Sequence, residues 1–450
     1  MAPELRRDLG LFSCIMLVVG NIIGVGIFLT PGEIAGLLPS AGWVLIAWAI
    51  GGFLATAGAL TYGELGAAYP YAGGNYVFLR EAYGPLLAFL FGWAFVLVTS
   101  TGTVALLAIG FAEQLGLSAA PVLQFGGIAL SQTQLLALAA VIVLSCLNYI
   151  GVKFGAGVTN AITFAKIVAM AALIGFGVTV GHGHPEYFKE ALTPPTADVW
   201  KGIGAALVPM AFAYSGWNAT VFVSEEVTHP SRNIPLSLLA GTLLTSLIYV
   251  AMNFIYMYGL SFHEVTQASS VAGSTAAALF GPAAGKAIAF LVAFSALGCL
   301  SASIITNPRT LFAMARDELF FDFGGKVHET YGTPSGAILF SAVWSCGLIL
   351  VFGGSFEEIL TYLSVPLVIF LCLTVAAIFV LRVRRPNLPR PYRCWGYPWI
   401  PALYVGISIW MLVNRIQVRG PKKVAIGLIV CVLGIPVYYL WKKYYRRSSS

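Results

Sequence analysis

The chain has 450 residues, of which 58% are hydrophobic and only 10% are charged. Because soluble globular proteins are usually about 25% charged, this composition predicts a protein buried in lipid. The formal net charge of +7 is explained by lysines and arginines in the loops between apolar runs. These residues form no basic stripe that alternates with aromatic residues, so nucleic acid is not predicted as a partner.

Long apolar runs predict the membrane spans. They extend over about 17 to 33 residues, which fits α-helices and not the ~10-residue strands of a membrane barrel. The run after the N-terminal MAPELRRDLG is too long for a signal peptide and has no cleavage site, so we expect a retained first helix. We predict an all-α integral membrane protein with twelve transmembrane helices, called spans 1 to 12: Leu11–Leu37, Gly42–Ala68, Tyr83–Leu115, Gln134–Ile150, Phe154–Val180, Gly202–Ser224, Leu236–Gly259, Ala284–Ala313, Ser335–Phe352, Phe356–Leu381, Trp399–Ile416 and Val424–Trp441.

Basic residues outside the spans predict the orientation. Twelve spans place both termini on one side, and this side also holds Arg6, Arg7, the basic segment 382–393 and the tail 442–447. Cytoplasmic loops carry an excess of lysine and arginine. We therefore expect a multi-pass protein of the cell (inner) membrane with both termini in the cytoplasm.

Two spans contain residues that interrupt helices. Span 1 includes GNIIGVGIFLTPG, residues 20–32, and span 6 includes LVPMAFAYSGWNATVFVSEE, residues 207–226. Glycine permits backbone dihedrals that other residues avoid. Taken alone, the glycines of span 1 are equally typical of close helix packing through small residues. A second interruption at mid-depth of span 6, by Pro209, Ser215 and Gly216, favours a pair of broken helices.

A pair of broken helices predicts a polar site inside the bilayer. Unwound backbone is tolerated there only where it lines a cavity or is held by protein. Broken ends expose N–H groups that suit a carboxylate and carbonyl groups that suit an ammonium. Interrupted helices at matching places in two halves are typical of inverted-repeat transporters. We therefore expect a binding site for a small zwitterion.

Three segments carry a family resemblance. GNIIGVGIF, YGELGAAYPYAGGNYVFLREAYGP and FAYSGWNATVFVSEEVTHPSRNIP look like the helix 1, helix 2–3 and helix 6–7 signatures of the L-type amino acid transporter (LAT) family, in the amino acid–polyamine–organocation (APC) superfamily. The sequence resembles a prokaryotic member. The resemblance implies alternating-access transport by a five-plus-five inverted repeat, the leucine-transporter-type fold: residues 11–180 form the first repeat, 202–381 the second, and 399–441 two appended helices.

The resemblance implies that the break in span 1 holds the substrate backbone. The amides of Gly24, Val25 and Gly26 would bind the carboxylate, and the carbonyl of Ile22 would accept a hydrogen bond from the α-ammonium. The family usually has a serine where this chain has Val25. One side-chain hydroxyl is therefore lost, while the backbone contacts remain.

The resemblance also assigns roles around span 6. Carbonyls of Phe212, Ala213 and Ser215 would surround the ammonium, the Phe212 ring would be an aromatic gate, and Asn218 would border the site. A glycine is usual where Ser215 stands. Tyr249 in span 7 is a second gate candidate, with a packed or lipid-facing aromatic as the equal alternative.

Lys166 lies near the middle of span 5. A charge at that depth costs at least about 2.5–3.5 kcal/mol, so it usually faces the bundle interior and has a role; a snorkelling lysine is the alternative. In sodium-driven relatives this region faces a sodium site, and the resemblance places the Lys166 ammonium there, near span 1 carbonyls and Ser295. We predict sodium-independent transport: either the lysine stays charged and the protein exchanges amino acids, or it cycles a proton as a symporter.

Acidic residues are absent from the middle of the spans, which favours neutral L-amino acids as substrates. Glu64, Glu225 and Glu226 lie near inner span ends. We expect them to pair with Arg80 or Arg232 as contacts at the inner gate.

Other function classes lack the residues they require. A membrane enzyme needs nucleophiles, metal ligands or acid–base pairs at one depth, and all five histidines fall in loops or at span ends. No ring of charges or repeated filter indicates a channel. No cofactor or metal is predicted. Eukaryotic relatives pair with a glycoprotein through a cysteine between helices 3 and 4; residues 116–134 contain none, so no disulfide-linked heavy subunit is expected.

Overall fold

The computed structural model describes residues 5–117, 121–125, 128–188, 192–268, 270–352, 356–419 and 421–448. Within these ranges the chain is almost entirely helical. The helices, numbered α1 to α19 in chain order, are Leu11–Ile22, Gly26–Gly36, Ala41–Ala68, Asn75–Tyr83, Pro85–Ala94, Thr101–Gln114, Gln132–Ile150, Val152–Thr179, Ala197–Ala213, Ala219–Phe222, Pro230–Gly259, Phe262–Gln267, Val271–Phe280, Pro282–Thr306, Pro308–Arg316, Ser335–Phe352, Phe356–Arg384, Trp399–Arg419 and Pro421–Ser448.

The predicted spans correspond to helical regions. α1 and α2 are bent by 45° at a short break and together are apolar enough to form one span. Spans 6 and 8 are divided: span 6 into α9 and α10, and span 8 into α14 and α15. By length and hydropathy, seven helices of the described chain qualify as membrane spans without the bent pair: Ala41–Ala68, Pro85–Gln114, Gln132–Ile150, Val152–Thr179, Pro230–Gly259, Pro282–Arg316 and Pro366–Arg384.

The all-α prediction missed one short hairpin. Strand β1, Pro121–Phe125, pairs antiparallel with β2, Ile128–Ser131, between α6 and α7. Both strands are rich in β-branched, aromatic and other apolar residues and are separated by two glycines in the sequence, which is a hairpin pattern. The hairpin lies outside the predicted spans and does not alter the membrane architecture.

Helix packing brings the two interrupted regions together. α11 packs along α1 and α3, while α8 and α14 pack against α1 on other sides. Large aromatic side chains fill the centre: Trp48 of α3 and Tyr249 of α11 are fully buried, with ring centroids 5.5 Å apart. The breaks are therefore held inside the bundle rather than at its surface.

Both ends of the chain lie at the same end of the bundle. Near the N-terminus, Leu9 forms a backbone bridge with Val227, and Arg6 donates to the carbonyl of Thr330 at 2.6 Å. In the last helix, the Trp441 ring lies edge-on to Phe321 at 4.7 Å. Residues 321 and 330 belong to the same connection between α15 and α16, which agrees with an even number of spans.

Candidate functional site

The first break, residues 23–25, separates α1 from α2. Gly24 turns back within it, donating its N–H to the carbonyl of Ile22 at 2.8 Å. A Cβ on Gly20, one turn earlier, would lie 2.7 Å from the Thr163 hydroxyl of α8. Glycine is therefore required at position 20 for the close approach of α8. The turn at residues 23–25 interrupts the helix between α1 and α2.

The second break, residues 214–218, separates α9 from the short α10. Gly216 has a φ of +98°, which favours glycine, and a Cβ there would lie 2.8 Å from Asn21 of α1. A Cβ on Gly26 would likewise lie 2.7 Å from the Cα of Ala213. Both predicted broken helices are confirmed, and their backbones pack directly against each other.

Lys166 is fully buried and reaches the first break from α8. Its Nζ donates to the carbonyls of Gly20, at 3.1 Å, and Ile23, at 2.5 Å. Ser295 of α14 donates to the carbonyls of Ile23, at 3.1 Å, and Gly24, at 3.3 Å. No ion pair links Lys166 to a carboxylate in the parts of the chain described above. Backbone carbonyls are thus its hydrogen-bond partners.

Tyr249 connects the two breaks. Its hydroxyl lies 2.8 Å from the carbonyl of Ile22 and 3.1 Å from that of Ala213. The residue is fully buried, so the lipid-facing alternative is wrong. A single phenolic proton therefore serves one carbonyl from each broken helix, and both were predicted to face the substrate ammonium.

A cavity of about 180 Å³ lies beside the second break, between α3, α6, α9, α14, α17 and α18. None of the lining residues found in the described chain is charged. Apolar side chains cover one part, including Leu54, Leu207, Met210, Leu371 and Met411. Polar side chains cover another part; they include Asn21, Asn75, Thr99, Ser100, Thr103, Ser215, Asn218, Cys299, Ser303 and Asn307.

The cavity receives only some of the predicted site residues. Ser215 and Asn218 line it. Ile22, Gly26 and Ala213 instead lie where the two breaks meet. Gly24, which lies against Cys299 of α14, and Val25 do not line the cavity either. The N–H groups of Val25 and Gly26 have no acceptor in the described chain, as expected at a helix N-terminus. Phe212 is 48% exposed and does not line the cavity, so its gate role stays a prediction.

Sequence reasoning missed several cavity residues. Asn75 accepts a hydrogen bond of 3.0 Å from the predicted Asn218 inside the cavity wall, and Asn21 accepts from Ser303 at 3.3 Å. Cys299 donates to the carbonyl of Asn21 at 3.2 Å. These residues are small polar groups within or beside apolar runs, a signal that the search for charged residues ignored.

Span 3 has a π-helical segment, Phe95–Ser100, where it lines the cavity. Thr99 and Thr103 line the cavity and also donate to carbonyls of their own helix, at 3.4 Å to Ala94 and 2.7 Å to Thr99. Such segments occur frequently at functional sites.

Ion pairs lie next to the cavity, toward the end of the bundle that holds both chain termini. Arg309 forms a bidentate ion pair with Glu226, with hydrogen bonds of 2.7 and 2.8 Å, and both side chains are fully buried. They follow the cavity-lining residues Phe222 and Asn307 along the chain. Removal of one partner of such a buried pair leaves an uncompensated charge, at a cost of about 3–5 kcal/mol.

The predicted partners of these acidic residues were wrong. Glu64 pairs with Arg382, at 2.6 Å, and with Arg390, while Glu225 pairs with Arg316. Arg80 instead pairs with Asp317 and Glu81. The actual partners lie in α15, in the last turn of α17 and just after α17, so only the fold brings them to the carboxylates.

Comparison with known proteins agrees with this architecture. Residues 9–436 match the amino acid permease family. The serine/threonine exchanger SteT of Bacillus subtilis (strain 168) is 31% identical over 449 residues, which covers 99% of this chain and 98% of SteT. The chain belongs to the amino acid permease family. This membership confirms the predicted APC resemblance.

Human relatives extend the same alignment. The b(0,+)-type amino acid transporter 1 of Homo sapiens is 30% identical over 444 residues, covering 98% of this chain and 89% of that protein. The human large neutral amino acids transporter small subunit 2 is 30% identical over 440 residues, covering 97% and 80%. The permease is thus a multi-pass membrane protein of a transporter family. Its similarity to these LAT transporters agrees with the resemblance expected from its motifs.

Proposed function

We propose that this permease exchanges neutral L-amino acids across the cell membrane by alternating access and without sodium. The observation that carries the proposal is the junction of the two breaks beside the cavity, with the Lys166 ammonium bound to carbonyls of the first break. The names of SteT, an exchanger, and of the human amino acid transporters support it.

The substrate backbone would bind where the breaks meet. The free N–H groups of Val25 and Gly26 open the eleven-residue helix α2, and a helix N-terminus favours a carboxylate. The α-ammonium would bind carbonyls of the second break. The carbonyls of Ile22 and Ala213 are shared with the Tyr249 hydroxyl, so Tyr249 would adjust as the ammonium binds.

Lys166 would replace a coupling ion. Carbonyl and hydroxyl oxygens are the ligands that hard cations prefer, and the carbonyls of Gly20 and Ile23 are taken by the Lys166 ammonium. A tethered cation cannot carry energy from a sodium gradient. Transport would then be driven by the exchange of one amino acid for another.

The cavity supports neutral, small substrates. The lining contains no charged side chain within the described chain, so an acidic or basic side chain would be buried without a counter-ion, at high cost. Its volume of about 180 Å³ is below the ~300–1,000 Å³ of sites for drug-sized ligands.

The finer architecture is also part of the proposal. Residues 11–180 and 202–381 would be the inverted repeats, with 399–441 appended. The excess of basic residues at the end of the bundle that holds both chain termini supports a cytoplasmic location for it. The absence of cysteine from residues 116–134 supports transport without a disulfide-linked heavy subunit.

Exchange in proteoliposomes tests the proposal. Purified protein is reconstituted, and uptake of labelled alanine is measured with and without internal alanine, in sodium or choline buffer, and with or without an inward proton gradient. We expect uptake that requires internal amino acid and is equal in both salts. Uptake into empty vesicles driven by protons would indicate a symporter, and stimulation by sodium would refute the ion-surrogate role of Lys166.

A further inference from the structure

One wall of the cavity comes from α18, a helix outside the two proposed repeats. Its cavity-lining residues are buried and are spaced by about one helical turn: Tyr404, Ser408 and Met411. Residues three and four positions apart lie on the same face of a helix. Ile409 lies on another face and is 52% exposed. α18 therefore directs one buried face at the cavity and presents another at the surface of the bundle.

Two close contacts fix the position of this wall. At Gly204 of α9, a Cβ would lie 2.7 Å from the Trp410 ring, so the close approach of α18 to α9 requires glycine. The Tyr404 ring is edge-on to Trp217 of the second break, with ring centroids 6.2 Å apart. α18 is thus packed against both α9 and the break, and this packing sets the distance of Met411 from the break.

The opposite end of the cavity is polar and adjoins the first break. Asn21 of α1 and Cys299 both line the cavity, and the Cys299 thiol donates to the carbonyl of Asn21. Cys299 also lies against Gly24, where a Cβ would be 3.2 Å from the thiol. The N–H groups of Val25 and Gly26 follow Gly24 in the chain and are the proposed carboxylate ligands. The charged end of the amino acid therefore belongs at this end of the cavity.

The α18 wall lies in the apolar part of the cavity. The Ser408 hydroxyl donates to the carbonyl of Tyr404 in its own helix at 2.8 Å, so its proton is already used. The facing apolar residues are Leu54 of α3, Leu207 and Met210 of α9, and Leu371 of α17. A polar group that enters such a region loses its hydrogen bonds to water. An alkyl group instead gains about fourfold in affinity for each CH₂ group that it buries.

We propose that Met411 is a specificity-determining residue, because the α18 wall limits the length of the alkyl side chain that the cavity accepts. The inference rests on the proposed function, since it places the side chain of the transported amino acid in the same cavity. A methionine side chain is unbranched and adapts to the space around it. A rigid ring at position 411 should therefore shorten the apolar part of the cavity, and a methyl group should lengthen it.

Binding of a linear series of amino acids to the purified full-length protein tests this subsite. Dissociation constants are measured for alanine, norvaline and norleucine, which differ only in their number of CH₂ groups. The variants are Met411→Phe and Met411→Ala. Ile409→Phe and Ile409→Ala are the matched controls, because Ile409 is exposed on the same helix. Exchange of alanine is recorded in parallel, so that failure of transport is separated from failure of recognition.

We expect the wild type to bind norvaline about fifteenfold more tightly than alanine, as two further buried CH₂ groups would give. Met411→Phe should reduce this ratio at least about fivefold, because the ring overpacks the subsite, and should leave the affinity for alanine unchanged. Met411→Ala should raise the affinity for norleucine relative to norvaline about fourfold. Both Ile409 variants should keep the wild-type ratios.

Unchanged affinity ratios in both Met411 variants would overturn the inference. An equal fall of all three affinities would overturn it too, because Met411 would then have a purely structural role. Where Met411→Phe fails to fold, an unchanged norleucine-to-norvaline ratio in Met411→Ala is enough to reject the subsite. The expected ratios together with absent exchange would support the subsite and reject only the proposed transport.

Discussion

The two broken helices differ in what occupies their backbone. At the first break, protein side chains bind the carbonyls: Lys166 at Gly20 and Ile23, Ser295 at Ile23 and Gly24, and Tyr249 at Ile22. The second break instead lines the cavity along residues 214–219. One break is held by the protein, and the other faces the space where a solute binds.

The two breaks therefore have different tasks, although the same pattern of glycine and proline within apolar runs predicted both. A buried carbonyl group without a hydrogen-bond donor is costly in a low-dielectric interior. At the first break, the Lys166 ammonium and the hydroxyls of Ser295 and Tyr249 supply these donors. Its free N–H groups at Val25 and Gly26 remain for a carboxylate. The second break needs no such set because its open face adjoins the cavity. The comparison predicts that substitutions at the first break change the structure of the break and the ion dependence of transport. Substitutions at the second break are predicted to change substrate affinity.

Removal of the Lys166 ammonium is expected to have the largest effect. Lys166→Met leaves the carbonyls of Gly20 and Ile23 without their charged donor. Hydrogen bonds to charged groups contribute about 1.5–3 kcal/mol, so exchange should fall about a hundredfold. Lys153→Met is the matched control, because Lys153 is exposed near the start of the same helix. Exchange in proteoliposomes is the measurement; wild-type rates in Lys166→Met would remove the lysine from the mechanism.

A side chain at Gly216 is expected to separate the two breaks. Gly216→Ala places a methyl group 2.8 Å from Asn21 at a φ of +98°. Left-handed backbone costs an L-residue about 1–2 kcal/mol, and overpacking adds to it, so substrate affinity should fall about thirtyfold. Gly157→Ala is the control, since a Cβ there meets open space. Unchanged alanine binding by Gly216→Ala would show that close contact of the breaks is unnecessary.

Loss of the Tyr249 hydroxyl is expected to have an intermediate effect. Tyr249→Phe keeps the packed ring and removes the hydroxyl from the carbonyls of Ile22 and Ala213. The carbonyl of Ile22 keeps the Gly24 N–H as a donor, whereas that of Ala213 loses the hydroxyl. An unsatisfied buried acceptor costs about 1–3 kcal/mol, so exchange should fall about tenfold. The exposed Tyr439→Phe is the control. Equal rates in the two variants would mean that the link between the breaks is not used in transport.

Ser295→Ala is expected to have the smallest effect. The carbonyl of Ile23 keeps Lys166 as a donor, so only the contact with Gly24 is lost outright. One neutral hydrogen bond contributes about 1 kcal/mol, which corresponds to about a fivefold loss of exchange. Thr275→Val is the comparison, because that hydroxyl donates to the carbonyl of Val271 in its own helix. A loss as large as that of Lys166→Met would instead make Ser295 the principal ligand of the break.

The sequence predicted the features that local chemistry determines. Glycine and proline within apolar runs located both breaks, and the insertion cost of a charge identified Lys166. Contacts between distant segments could not be read in this way. Tyr249 lies in the mostly apolar second half of α11, so its neighbours depend on how α11 packs. Glu226 pairs with Arg309 only because the fold brings the segment after α10 against α15.

Binding of substrate analogues to the purified protein tests the central claim most directly. Alanine is compared with alaninamide, which lacks the carboxylate, and with propionate, which lacks the ammonium. If the backbone of two broken helices binds both ends of the amino acid, each analogue should bind at least about a hundredfold more weakly, as loss of charge-assisted hydrogen bonds implies. Tight binding of either analogue would contradict the account.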